Sequence, residues 1–286
     1  MAEPLRTVRR RFAEDIGRLA GVTQPAIIEA FATVPRERFV GPGPWKSLSS
    51  DLRPMVTPDA DPIRVYANIV IALDEAKGLT NGQPQFWAAL FEQLRPSAGE
   101  RVIHVGAGAG YYTAILAEIV GPAGSVTGIE FEPELAARAG ANLADRGNVE
   151  LLAGDAHVLA SGPADVVVAS CGFDGVPMAW VKLLKDGGRL LIPLTVGSSL
   201  PGIGAGAMLL ITRRGKAYDA RFVGGTMIYN DMSGRTEEAT RRLGEAFRPF
   251  RDGQALQVAS LRTEARPDET CWLAGDGWWL STASNS

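Results

Sequence analysis

The chain has 286 residues, 46% of them apolar and 21% charged, with a formal net charge of −3. That length suits one central domain with appended segments, and that composition excludes a disordered chain. The acidic balance excludes a general affinity for nucleic acid or anionic membrane, and the one tight early basic run, Arg9-Arg10-Arg11, reads as a solvated helix face.

Apolar residues at Val8, Phe12, Ile16 and Leu19 predict a helix over 6–19. A second is predicted over 24–33, with Thr23 as its N-cap, Pro25 at an early position and Pro35 as its stop. The stretch 41–62 is rich in Pro, Gly and Ser and reads as a loop, 65–73 as a strand, 78–84 as a turn and 85–94 as a helix. From Arg101 strands and helices alternate. Strands are predicted over 101–105, 125–130, 149–153, 164–169 and 188–194, and helices over 111–120, 133–146 and 177–184. The unbroken apolar run at 164–169 suits a strand covered on both faces. This order implies a parallel, doubly wound α/β sheet of Rossmann-like type with right-handed crossovers. Beyond Pro193, 208–213 and 221–228 read as a hairpin and 237–247 as a helix. Trp272, Trp278 and Trp279 read as packing for a terminal strand. The texture therefore has three parts: an N-terminal helical and loop extension over 1–85, a cofactor-binding Rossmann-like domain over 86–195, and a C-terminal α+β extension over 196–286.

Two cysteines, Cys171 and Cys271, and two histidines, His104 and His157, show no metal-ligand spacing, so neither a zinc site nor a disulfide scaffold is expected. Residues 1–11 lack the apolar core and cleavage site of a signal peptide, and no run is long enough to span a membrane. A soluble cytoplasmic protein is expected.

Gly106-Ala107-Gly108-Ala109-Gly110 follows a predicted strand and opens a predicted helix. Glycines there permit a tight turn and close backbone approach to a ligand, and the helix N-terminus offers unpaired N–H groups. The dinucleotide fingerprint wants Gly-x-Gly-x-x-Gly, whereas Tyr111 stands where its third glycine belongs. No Gly-Lys-Ser/Thr follows, which excludes a P-loop. The spacing fits the variant that binds S-adenosyl-L-methionine. Glu130, about twenty residues past the loop, is placed to accept from both ribose hydroxyls. Phe131 is placed to lie on the adenine, and Asp155, followed by Ala156, to accept from its amino group. The loop Ser170-Cys171-Gly172-Phe173 after the fourth strand is expected to face the transferred methyl. Cys171 has no activating partner evident in the sequence and reads as a packed small thiol.

The run from Val102 to Ala114, including Gly110-Tyr111-Tyr112-Thr113-Ala114, resembles the first cofactor motif of the protein-L-isoaspartate O-methyltransferase family. So do Gly147-Asn148-Val149 with Gly154-Asp155, Gly187 to Pro193, and two upstream segments, Val34-Pro35-Arg36-Glu37-Arg38-Phe39-Val40 and Leu79-Thr80-Asn81-Gly82-Gln83-Pro84. The likeness runs over roughly 10–195, and the upstream segments are the specific part, since many methyltransferases share the glycine loop. The resemblance implies a class I methyltransferase fold and esterification of a carboxylate on a protein or peptide. It implies that Thr80, Asn81 and Gln83 orient the acceptor, and that 227–233 approaches the site. It also implies cofactor contacts at His104, Gly106, Ala107, Gly108, Gly110, Tyr111, Glu130, Phe131, Asp155, Ala156 and Ser170. Two positions depart from the family pattern: Gly82 stands where a serine is usual, and His104 where an acidic residue precedes the loop. His104 reads otherwise as a half-buried strand residue. These departures leave room for another acceptor, such as an aspartate in a partner peptide, or for a module that binds cofactor without turnover. Val120-Gly121-Pro122-Ala123-Gly124 resembles a turn of adenine-N1 tRNA methyltransferases and keeps an RNA or small-molecule acceptor as the alternative.

Overall fold

A computed structural model describes all residues except 1–3, 50–52, 201, 252, 254, 264–265 and 286. The excluded residues take in the start of the N-terminal reading and part of the 41–62 loop, which lie outside the described residues. In chain order the elements are α1 (Leu5–Ala20), α2 (Pro25–Thr33), β1 (Lys46–Leu48), β2 (Pro54–Val56), β3 (Val70–Asp74), β4 (Leu79–Thr80), α3 (Pro84–Leu94), β5 (Arg101–Val105), α4 (Tyr111–Val120) and β6 (Ser125–Glu130). They continue as α5 (Pro133–Leu143), β7 (Val149–Ala153), α6 (Ala156–Leu159), β8 (Ala164–Ala169), α7 (Met178–Leu183), β9 (Leu184–Gly197), β10 (Ile203–Arg214) and β11 (Ala217–Tyr229). The chain closes with α8 (Glu237–Ala246), α9 (Arg248–Arg251), β12 (Ser260–Arg262), β13 (Cys271–Gly275) and β14 (Trp278–Ser281). Short 3-10 turns lie at Arg36–Phe39 and Pro62–Val65.

Packing divides the chain into two units. One holds Met1–Arg101 and Ala107–Gly154, the other Val102–Gly106 and Asp155–Ser286. The first unit carries α1 to α3, an antiparallel sheet in the order β2-β1-β3-β4, and the parallel pair β6–β7 with α4 and α5 against it. Its core is aromatic: Phe31, Phe39, Trp87, Phe91, Tyr111 and Tyr112 are buried, their rings 5.0–6.2 Å apart at tilted or edge-on angles. The second unit is a mixed sheet, parallel through β5–β8–β9 and antiparallel from β9 through β10, β11, β12 and β14 to β13. Val102, Ile103, Val166–Val168 and Leu190–Ile192 are fully buried, as doubly covered parallel strands require.

Several expectations are corrected. Thr23 does not cap α2: the cap residue is Gln24, with no side-chain bond, and the Thr23 hydroxyl donates instead to Glu92 of α3 at 2.6 Å. The 41–62 loop contains the hairpin β1–β2, whose strands are too short and exposed to leave a periodic signal. The strand expected over 65–73 begins only at Val70, after a 3-10 turn. Arg9 is not on a solvated face, since its guanidinium donates to Tyr66, Thr33 O and Glu37. The tryptophans pack as expected: Trp278 and Trp279 are buried on β14, and Trp272 joins Phe222 and Phe247. Cys171 and Cys271 are not joined in a disulfide.

Candidate active site

In the first unit the glycine turn closes on the end of β6. The Ala107 N–H donates to Ile129 O at 3.1 Å, and the Gly108 N–H to Glu130 Oε2 at 2.6 Å. Glu130 Oε1 accepts from the Glu132 N–H at 3.0 Å. Burial pushes the Glu130 carboxyl above its ordinary value, against the pull of those backbone N–H groups. The N–H groups of Gly108, Phe131 and Glu132 all bond this carboxylate, which has about four acceptor directions, so capacity remains for a ribose hydroxyl. Gly108 sits at φ +59°, and a Cβ there would meet, within this unit, only Leu73 Cδ1 at 3.8 Å. The turn thus leaves room over Gly108 while holding a backbone that L side chains rarely adopt. Gly110 at φ +96° is tight instead, with Leu143 Cδ1 2.9 Å from a built Cβ. Phe131 is 48% exposed, available to lie on a flat ring. The Tyr111 ring is core, packed on Phe31 and Phe39, so what it can offer a ligand is its backbone at the start of α4.

The segment Thr80–Gln83 runs from β4 to the cap of α3 in the same unit. Asn81 is buried, its N–H donating to Ile71 O at 2.8 Å and its Oδ1 accepting from Arg36 Nε at 3.3 Å. The Thr80 hydroxyl accepts a long 3.4 Å bond from the Gly82 N–H. Gln83 caps α3 through its extended backbone, leaving its amide half-buried beside the segment. Sequence reasoning passed over Arg36 as a site residue, although the signature around it was visible.

In the second unit, His104 on β5 is 1% exposed rather than half-buried, and its Nε2 lies 2.8 Å from Ser170 Oγ at the end of β8. Burial holds its pKa down at about 4, so the ring is neutral and bears no charge for a ligand ammonium. Gly106 at φ +74° packs against Ser170, whose Cβ would lie 3.4 Å from an added Cβ. Asp155 caps α6, its Oδ1 accepting from the His157 N–H at 2.8 Å and the Ser233 hydroxyl at 3.3 Å, and Ala156 is buried behind it. The 227–233 segment is bound to the loop after β8: the Gly172 N–H donates to Tyr229 O at 2.6 Å and the Asp231 N–H to Gly172 O at 2.8 Å. Asp231 also holds His157 Nε2 at 3.3 Å, and this bond raises the imidazole pKa. The His157–Asp231 pair left no trace in the sequence pattern, because its partners lie 74 positions apart in the chain. Among the described residues, no group of three His, Cys, Asp or Glu side chains is placed to hold a metal ion.

The comparisons agree with one another. The sequence profile described as Protein-L-isoaspartate(D-aspartate) O-methyltransferase matches residues 14–200. The chain is 37% identical over 191 residues to protein-L-isoaspartate O-methyltransferase 2 of Anaeromyxobacter sp. (strain Fw109-5), covering 65% of this chain and 70% of that one. It is 34% identical over 198 residues to the Aeropyrum pernix protein-L-isoaspartate O-methyltransferase, covering 68% and 69%. A solved protein-L-isoaspartate O-methyltransferase structure superposes with TM-score 0.63 at 24% identity, over 90% of this chain and 74% of that one. A Plasmodium falciparum chain solved with S-adenosyl-L-homocysteine gives 0.56 at 16%, over 78% and 95%. At those identities the superpositions speak for the fold, which is the Rossmann-like α/β one expected. The chain is an S-adenosylmethionine-dependent O-methyltransferase and belongs to the protein-L-isoaspartate(D-aspartate) O-methyltransferase family.

Proposed function

We propose that the chain esterifies the side-chain or α-carboxylate of an isoaspartyl or aspartyl residue in a protein or peptide, with Thr80, Asn81 and Gln83 orienting that carboxylate. The observation that carries this reading is the bond between the two upstream segments that resemble the family. Arg36 of one holds Asn81 of the other, inside a single buried knot. A glycine loop alone, shared by many methyltransferases, would not single out a carboxylate acceptor.

An acceptor carboxylate is already ionised near neutral pH, so the site needs no general base. The work left to the protein is positioning and exclusion of water. The Thr80 hydroxyl and the Asn81 and Gln83 amides have protons to give to one carboxylate oxygen while the other attacks. When bound, S-adenosylmethionine would supply an electrophilic methyl on a sulfonium. Glu130 takes the ribose, Phe131 and Asp155 the adenine, and the backbone of Gly106 to Gly110, with Ala107 and Tyr111, the methionine end. His104, Ala156 and Ser170 are assigned to the cofactor as neutral groups. The 1–85 segment contributes the acceptor side, 86–195 the cofactor side, and 196–286 is the extension. The acidic charge and the sparse cysteine content favour a cytoplasmic enzyme acting on polypeptide rather than on nucleic acid or a membrane. Among the described residues no helix is long and apolar enough to cross a membrane.

The test is transfer of labelled methyl from S-adenosylmethionine to matched isoaspartyl and aspartyl peptides, with release by base as the ester signature. Base-labile label on the isoaspartyl peptide is the expected result. Bound cofactor with no transfer to either peptide would refute the reading, and salt-sensitive transfer to RNA would favour the alternative.

A further inference from the structure

Arg36, in the turn after α2, is completely buried. Every one of its guanidinium nitrogens is engaged. Nε donates to Asn81 Oδ1 at 3.3 Å, Nη1 to Val65 O and Ala67 O, both at 2.8 Å, and Nη2 to Ile69 O at 2.7 Å and Gly82 O at 3.5 Å. All five acceptors are neutral. Among the described residues no Asp or Glu forms an ion pair with it. The adjacent Glu37 is bound instead to Tyr66 and Arg9. The other groups near Arg36 are the Tyr111 ring, 5.9 Å away, and the phenols of Tyr111, Tyr112 and Tyr66, all kept protonated by burial. Buried charges are ordinarily paired, because an unpaired one is costly to desolvate. Here the carbonyl dipoles meet the hydrogen-bonding need and leave the positive charge uncancelled, directly behind Asn81 and Gly82.

We propose that Arg36 is a specificity-determining residue of the acceptor site: its unneutralised charge, held behind the Asn81–Gly82 segment, draws an acceptor carboxylate to that segment without touching it. This rests on the reading that Thr80–Gln83 holds the acceptor. A charge in a low-dielectric setting is weakly screened, so it acts through one layer of protein as a surface charge does not. It selects for an anionic acceptor and against a neutral one, which suits an enzyme whose nucleophile must arrive ionised.

Asn81→Asp is the informative variant. The new carboxylate is isosteric, sits where Arg36 Nε already donates, and cancels the charge while keeping the bond. Asn81→Ala removes the bond and leaves the charge. Calorimetric affinity for S-adenosylmethionine, and kcat and KM for an isoaspartyl peptide, are measured for wild type and both variants. Asn81→Ala, which loses the amide's bond to the acceptor but keeps the charge, is expected to raise the peptide KM about ten-fold, and Asn81→Asp, which loses that bond and also cancels the charge, about ten-fold more again, with cofactor affinity unchanged in both. Equal KM increases in the two variants would show that the Asn81 amide matters and the charge does not. Wild-type KM in Asn81→Asp would overturn the inference outright. Arg36→Met, which removes the charge and keeps the Asn81 amide, should raise the peptide KM about ten-fold if its circular dichroism is native, and a folded Arg36→Met with wild-type KM also overturns it. Failure of the wild type itself to methylate the peptide removes the acceptor reading, and this one with it.

Discussion

At the residue scale, burial sets the charge state of His104. Its pKa is depressed to about 4, so between that value and 6.5 the unfolded chain binds a proton that the folded chain refuses. Stability therefore rises with pH across that window, and falls on acidification, by up to about 3 kcal/mol from this residue. Denaturant titrations at pH 4.5 and 7 should show a smaller acid loss in His104→Gln than in wild type; equal losses would mean that the ring is not held neutral. Gly82 is the other informative residue. Its φ is +71°, and a Cβ would lie 2.8 Å from Trp87 Nε1. Restoring the family's serine at this backbone should cost about 1–3 kcal/mol of stability and add no methyl transfer to an isoaspartyl peptide. A gain in activity without loss of stability would show that the segment can relax. The glycine turn and Glu130 were legible in the sequence because their pattern is local and repeats the order of the strands. Arg36 was not, because its five acceptors come from residues 29 to 46 positions further along the chain.

At the element scale, α2 begins without a cap of its own, and Glu92 of α3 fills the gap. Its carboxylate accepts from the Thr23 N–H at 3.0 Å, the Thr23 hydroxyl at 2.6 Å and the Gln24 N–H at 3.2 Å. Burial raises the Glu92 pKa, but these bonds together outweigh it and leave the group lowered. Its contribution is thus present above the ordinary carboxylate value and lost in acid. Glu92→Ala should lower stability by about 1–2 kcal/mol, as removal of a helix N-cap does. Thermal melting checks this, and an unchanged midpoint would assign the capping to water. The central strands β5, β6, β7 and β8 were legible to the residue, since β-branched runs bounded by glycine leave little choice. The start of β9 was not. The strand expected over 188–194 in fact begins at Leu184 and runs through Lys185-Asp186-Gly187 with Gly187 at φ +74°, where the ladder with β8 shifts register.

At the scale of the whole molecule, the family match ends at residue 200, but the second packed unit runs on to the C-terminus. β9 is paired with β10 from Arg189↔Thr212 to Gly197↔Gly204, and the buried residues Leu190, Leu191, Ile192 and Leu194 lie along that ladder. A chain cut after residue 200 would leave a long apolar strand as an open edge, a template for aggregation. The 1–200 fragment is expected to be insoluble or to lack a cooperative melt; a soluble, cooperatively melting fragment would show that the extension is an accessory. The packing also groups residues differently from the three-part texture of the sequence, because Val102–Gly106 joins a unit completed only by residues from Asp155 onward. The His157 ring stacks on Trp180 at 5.4 Å and 24° while Asp231 holds its far nitrogen. An imidazolium quenches the emission of an indole it lies against, whereas a neutral imidazole does so far less. Trp180 is therefore expected to dim when His157 is protonated and to brighten as the pH passes the raised pKa.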